Sequence, residues 1–277
     1  MPTASDRSRS PVIVQSRQNT RVKELRAGFA HPVRPGADGG DADAISIEGE
    51  HLVQEALRSG LRFRAIFVRS GSQHLLDRLP LPESVTILEL TPEVFASAVE
   101  TESPQGIAAL VEPPRFELQD ALAGTRPLVV VAAALQDPGN LGTLVRSAEA
   151  FGATGVVVLP GTVSIWNSKA LRASSGSAFR IPVVFAQSSE ATEALRQRGI
   201  QMLAAVVAEG TPCDQVNLAE PTAVLIGNEG SGLPEELVRE AHALIRIPTP
   251  GPVESLNAGI AASILLYEAT RQRARKR

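Results

Sequence analysis

Apolar positions along the chain fall into two periods, one of strands and one of helices. From Ala44, "AISIEG" reads as a strand, "EHLVQEALRSG" as a helix stopped at Gly60, and "FRAIFVRSG" as a strand again. "ESVTILEL", "TPEVFASAVE" and "GIAALVEP" continue the alternation and predict a small α/β unit over residues 44–112. Residues 113–126 read as a linker. At Pro127 the pattern changes, because "PLVVVAAAL" is apolar throughout, as a strand buried on both faces requires. After "QDPGN", Leu141, Leu144, Val145, Ala148 and Phe151 recur at helical spacing, with Gly152 as the stop. "GVVVLP" (155–160), "QMLAAVV" (201–207) and "TAVLIGN" (222–228) are further buried strands. Helices are predicted at about 167–174, 189–198 and 234–242, and "ALIRIP" (243–248) is a last short strand before an apolar terminal helix. Buried strands alternating with helices over residues 127–277 predict a mostly parallel sheet. Residues 1–43 form a basic, partly flexible segment, with a short helix at 18–27 and the Gly/Pro/Asp-rich loop "HPVRPGADGGDADA" at 31–44.

Composition narrows the class. A chain of 277 residues with 43% hydrophobic and 21% charged residues can bury the cores of two ordinary soluble domains. No apolar run reaches the ~18–20 residues of a membrane span, and the N-terminus lacks a signal-peptide core. The single cysteine, Cys213, permits no internal disulfide and fits a reducing cytoplasm. His31, His51, His74 and His242 show no metal-ligand spacing, so no metal site is expected. The net charge of −3 conceals basic ends: Arg7, Arg9, Arg17, Arg21, Lys23 and Arg26 at one, Arg271, Arg273, Arg275, Lys276 and Arg277 at the other. Such ends suit nucleic-acid phosphates, and equally suit solvated tails.

Candidate chemistry lies where ligands collect in open parallel sheets, beyond the carboxyl ends of strands. In "QDPGNLGTLVRSAEAFG", Asn140 stands where a helix cap is expected, and Arg146 follows nearly two turns later. In "LIGNEGSGL", Gly227, Gly230 and Gly232 surround Asn228 and Glu229. This loop matches neither the dinucleotide fingerprint nor the phosphate-binding loop, which argues against a nucleotide-binding oxidoreductase. In "IPTPGPVESLNAGIAASILLYEA", a stiff loop leads into the terminal helix, with Ser255 as the expected cap and Asn257 just beyond. Each segment alone has a plain reading: a capped helix with a surface arginine, a turn, and a helix start.

In order and spacing, the three segments together resemble the three motifs of the SpoU (TrmH-type) family of RNA ribose methyltransferases, within the SPOUT class. "VSIWNSKALRASSGSAFRIPVV" (163–184) is similar to a further family region, and the resemblance covers residues 127–270. The small α/β unit, best through "IEGEHLVQEAL", is similar to the RNA-binding domain that precedes this catalytic domain in the family. The resemblance implies a C-terminal trefoil knot, S-adenosylmethionine as donor, a homodimer through the terminal helix, and methyl transfer to a ribose 2′-hydroxyl. The RNA substrate is ribosomal by preference, with transfer RNA as the alternative, and an RNA-binding protein with an inactive domain is the rival reading. Carried over residue by residue, Gly227, Ile247 and Leu256 would hold the cofactor. Arg146 would be the catalytic arginine, with Asn140, Glu229, Ser255 and Asn257 around it, and Glu229 would orient its guanidinium. Because arginine keeps its proton to about pH 12, a grip on the neighbouring phosphate is at least as good a role for Arg146 as that of a base. Lys169 and Arg172 would touch RNA phosphates.

Overall fold

The computed structural model describes residues 11–32, 44–82 and 84–275, which divide into two compact units, 11–32 with 44–113 and 114–275. Most of the loop expected at 31–44 lies outside the described residues, as do Arg7, Arg9, Lys276 and Arg277.

The first unit is a five-stranded sheet. Its strands are β1 (Val12–Val14), β2 (Ile45–Glu48), β3 (Phe63–Arg69), β4 (Thr86–Leu90) and β5 (Ile107–Val111), in the spatial order β1-β4-β3-β5-β2. β1, β4 and β3 run parallel, and β5 is antiparallel to both β3 and β2. Three helices, α1 (Thr20–Ala30), α2 (Glu50–Arg58) and α3 (Pro92–Ala98), complete it. Val22, Leu25 and Phe29 of α1 pack with Val94 and Phe95 of α3 against Phe67 and Leu90. β1 and α1 therefore belong to this unit, although the sequence pattern leaves them in a separate basic segment. Two of the three β1 residues are exposed, so periodicity gives the strand no buried face to announce.

The second unit is a seven-stranded sheet with every paired strand parallel. It holds α4 (Leu118–Ala121), β6 (Leu128–Ala132), α5 (Pro138–Ala150), β7 (Gly155–Val158), α6 (Ser168–Ser174), β8 (Val183–Phe185) and α7 (Ser188–Gln197). There follow β9 (Gln201–Ala205), β10 (Thr211–Pro212), β11 (Thr222–Ile226), α8 (Glu235–Glu240), β12 (Ala243–Arg246) and α9 (Ala258–Arg275). The strand order is β10-β12-β9-β11-β6-β7-β8. From β6 the chain first builds outward through β7 and β8, then fills the other side, so the order reverses between β6 and β11. Such a reversal leaves a crevice beyond the strands' carboxyl ends.

Alternate residues of the strands serve two helix layers. Val129, Val131, Val157, Met202, Ala223 and Leu225 pack with residues of α4, α7 and α8. Helices α5, α6 and α9 contact one another around α5, which packs on β7 while α9 reaches β11. The segment expected as linker thus contributes α4, whose Ala121 lies in the core beside Leu122. Close approach of α5 and α6 depends on Gly142, where a Cβ would stand 2.3 Å from the Ala170 carbonyl oxygen.

Candidate active site

The first turn of α5 is set by Asp137, not by Asn140. Asp137 precedes Pro138, whose fixed φ and missing N–H suit the first helical position, and its carboxylate accepts the Asn140 N–H at 2.9 Å. The other Asp137 oxygen accepts the Lys169 ammonium at 2.8 Å. Asn140, freed from capping, uses its side chain elsewhere. Its Nδ2 donates to Glu229 Oε1, and its Oδ1 accepts from Asn257 Nδ2 at 2.7 Å.

The terminal helix begins at Ala258, three residues past its expected cap. Asn257 takes the capping place, its Oδ1 accepting the Ile260 N–H at 3.2 Å and its carbonyl the Ala261 N–H at 2.8 Å. Ser255 is exposed and outside the helix. Serine and asparagine are both good caps, and the contact with Asn140 accounts for the choice. Asn140, Glu229 and Asn257, from three distant segments, therefore form one hydrogen-bonded row.

Beside this row lies a cavity of about 420 Å³. It sits beyond the carboxyl ends of β9, β11 and β12 and is walled by Val206, Val207, Ile245 and Leu265. The loop Gly227–Leu233 forms one side, with Glu229 among its lining residues. A Cβ on Gly227 would stand 2.4 Å from the Gly232 carbonyl carbon and the Leu233 nitrogen, so only glycine lets this loop fold back on itself. Gly227, Ile247, Leu256 and Ser255 all line the cavity.

Arg146 stands apart from the row. It is exposed and makes no ion pair or hydrogen bond among the described residues. On α5 it points between the side that meets α6 through Gly142 and the side that meets α9 through Ser147 and Ser263. No hydrogen bond or ion pair joins Glu229 to the Arg146 guanidinium among the described residues; Glu229 Oε1 accepts from Asn140. On α6, Arg172 is exposed, whereas Lys169 is already paired with Asp137. Among the described residues no group of three His, Cys, Asp or Glu side chains is placed to hold a metal ion.

Of the basic residues at the C-terminal end, Arg271 and Arg273 are bound within the fold, while Arg275 is exposed. Arg271 forms a two-pronged pair with Glu268, and Arg273 donates to the carbonyls of Arg126, Pro127, Leu218 and Glu220. The sequence reading assigns no role to Asn228 or Asp137. The Asp-Pro step was a readable cap signal for the latter. For Asn228, an asparagine ahead of glycine and serine was the signal for a local turn.

A seven-stranded parallel α/β sheet with a glycine-lined cavity at its carboxyl edge, joined to a second α/β unit, defines a two-unit α/β protein of the ligand-at-strand-ends type. Residues 127–267 match the model of the SpoU rRNA Methylase family, and residues 46–117 match that described as RNA 2'-O ribose methyltransferase substrate binding. The 23S rRNA (guanosine(2553)-2'-O)-methyltransferase RlmP of Bacillus subtilis (strain 168) is 34% identical over 92% of this chain and 97% of its own. An AdoMet-bound rRNA methyltransferase of Sinorhizobium meliloti superposes with a TM-score of 0.80 at 30% identity, covering 94% of this chain and 97% of that one. The SpoU methyltransferase AviRb of Streptomyces viridochromogenes, in complex with AdoMet, gives 0.76 at 25% identity over 93% of this chain and 100% of that one. The chain belongs to the SpoU family of RNA methyltransferases, whose methyl donor is S-adenosylmethionine.

Proposed function

We propose that this chain transfers a methyl group from S-adenosylmethionine to a ribose 2′-hydroxyl of large-subunit ribosomal RNA. The observation that carries the reading is the meeting of Asn140, Glu229 and Asn257 beside a cavity floored by the Gly227–Leu233 loop. The residues around the cavity fit the cofactor: a loop that only glycine can close, apolar walls for a flat ring, and a carboxylate for a cation. S-adenosylmethionine supplies an activated methyl group on a sulfonium. Gly227, Ile247 and Leu256 hold it mainly through their main chain. Transfer would form an O–CH3 bond to the ribose as the donor's S–CH3 bond breaks, with the hydroxyl proton passing to solvent water, since Arg146 stays charged. Asn140 and Asn257 fix the Glu229 carboxylate, and Ser255 at the cavity rim is placed to hydrogen-bond the incoming substrate. Arg146, without a partner of its own, grips the phosphate next to the target ribose and polarises the hydroxyl. Arg172, and Lys169 on exchange from Asp137, take neighbouring phosphates.

The ribosomal target rests on the likeness to the Bacillus subtilis enzyme and on the substrate-binding unit at 46–117. A cytoplasmic location is part of the same proposal, supported by a ribosomal RNA substrate. The knotted threading and a homodimer through α9 belong to the same proposal, the dimer supported by the exposed Ile260 and Tyr267 on that helix. Two measurements test the reading. Arg146→Ala is expected to abolish methyl transfer while calorimetry shows cofactor affinity within about twofold of wild type; near-normal turnover would remove Arg146 from catalysis. Mapping of 2′-O-methyl sites with and without the gene is expected to lose one site in 23S rRNA. A site lost from transfer RNA would redirect the substrate, and no lost site would favour an RNA-binding protein without activity.

A further inference from the structure

The proposed chemistry uses Glu229 but leaves its neighbour Asn228 without a role, and Asn228 is the more heavily bonded of the two. Its Oδ1 accepts the N–H groups of Gly230 at 2.9 Å and Ser231 at 3.1 Å, closing a tight local turn. Its main chain exchanges a pair of hydrogen bonds with Gly232, at 3.1 and 2.9 Å. Its Nδ2 reaches across to the carbonyl of Ala134, 3.1 Å away and 94 positions earlier in the chain. Ala134 has φ of +56°, a left-handed conformation that an alanine adopts only when its surroundings hold it there. Three residues on stands Asp137, which opens α5 and so sets where Asn140 points.

We infer that Asn228 is a positioning residue that couples the cofactor loop to the loop presenting Asn140. One half of its amide shapes the Gly227–Leu233 wall of the cavity, and the other half holds that wall at a fixed distance from Ala134. Glu229 extends from the same turn, so its reach to Asn140 depends on both halves. The two functions separate chemically. An aspartate at 228 keeps an oxygen for Gly230 and Ser231 but has no N–H for Ala134, and sets a negative charge against that carbonyl. An alanine loses both.

The inference rests on the methyltransferase reading for its kinetic consequences, and its test is arranged so that the two fail separately. In the full chain, Asn228→Asp is expected to bind S-adenosylmethionine within about threefold of wild type, yet to transfer methyl about tenfold more slowly at saturating cofactor. Asn228→Ala is expected to lose about tenfold or more in cofactor affinity as well. A purely structural role would move both constants together in both variants. Wild-type transfer by Asn228→Asp, or wild-type affinity in Asn228→Ala, would overturn the proposal. Hydrogen exchange of the amides at 229–233 provides a readout independent of any cofactor. Faster exchange in Asn228→Ala but not in Asn228→Asp supports the turn, and unchanged exchange in both overturns it. Should wild type itself bind no S-adenosylmethionine, the methyltransferase reading falls while the exchange result still decides the role of Asn228.

Discussion

At the start of α5 a single carboxylate serves two partners: Asp137 accepts the Asn140 N–H with one oxygen and the Lys169 ammonium with the other. The Lys169 hydrogen bond is the larger cause, and the Asn140 amide the next, of a carboxyl pKa held below the ordinary aspartate value. A carboxyl depressed in the folded state stabilises it above the unfolded pKa, and that contribution fades as pH falls through the folded value. Asp137 is 45% exposed and Lys169 60%, so solvent limits the effect to less than about 1 kcal/mol. Wild type is therefore expected to lose melting temperature below about pH 4 a little more steeply than Asp137→Asn. Parallel melting curves between about pH 6 and pH 3 would show that the pair contributes nothing. The same residue shows where single-position reading stops. Asn140 is a good cap by type, but an equally good one stands three positions earlier, directly before Pro138, which leaves the Asn140 amide for Glu229 and Asn257.

Helix α5 is the element on which the second unit converges, since α6 lies against one side and α9 against another. Gly142 sets the first of these contacts: besides the Ala170 oxygen, an added Cβ would stand 2.6 Å from Ala173 Cβ. Gly142→Ala would gain up to about 1 kcal/mol of helix propensity but force apart two packed helices, at about 1–3 kcal/mol. The expected result is a lower denaturation midpoint and slower methyl transfer, because α6 carries Lys169; a raised midpoint would show that α6 can retreat at no cost. Elements of this kind were legible in the sequence. β6, β7, β9 and β11 are buried on both faces and read as apolar runs, and α5 shows its buried stripe at Leu141, Leu144, Val145 and Ala148. The strands that escaped are short or exposed: β1, β8 with three residues, and β10 with two. Pairing with a neighbour makes these strands, and periodicity carries no record of a neighbour. The site behaves likewise. Its segments were visible as polar breaks after strands, but the row from Asn257 through Asn140 to Glu229, and the tie from Asn228 to Ala134, join residues 89 to 117 positions apart.

The second unit is closed by α9, which is pinned at both ends. At its start Asn257 binds Asn140; near its end the Arg273 guanidinium ties together the carbonyls of Arg126, Pro127, Leu218 and Glu220, the residues that lead into β6 and β11. Burial pushes the Arg273 pKa below arginine's usual value, with repulsion from Arg126 adding to the shift. Between these anchors α9 packs inward through Ala262, Leu265, Leu266 and Ala269. Its outer face keeps Ile260 at 50% and Tyr267 at 56% exposure, seven residues apart and so on one side of the helix. A helix fixed at both ends cannot roll to bury that face within its own chain, so a second copy is the partner the homodimer proposal supplies. Ile260 also stands one turn from Asn257, which brings such an interface to the edge of the active site. Ile260→Glu would place a charge in a contact that excludes water, and is expected to weaken self-association by about tenfold or more. The substitution leaves the Asn257 cap in place, because that cap uses only the main-chain N–H of residue 260. Light scattering coupled to gel filtration decides the matter: a dimeric wild type with a monomeric, still folded Ile260→Glu supports the interface. A wild type that runs as a monomer at micromolar concentration, or a variant that stays fully dimeric, would remove α9 from it.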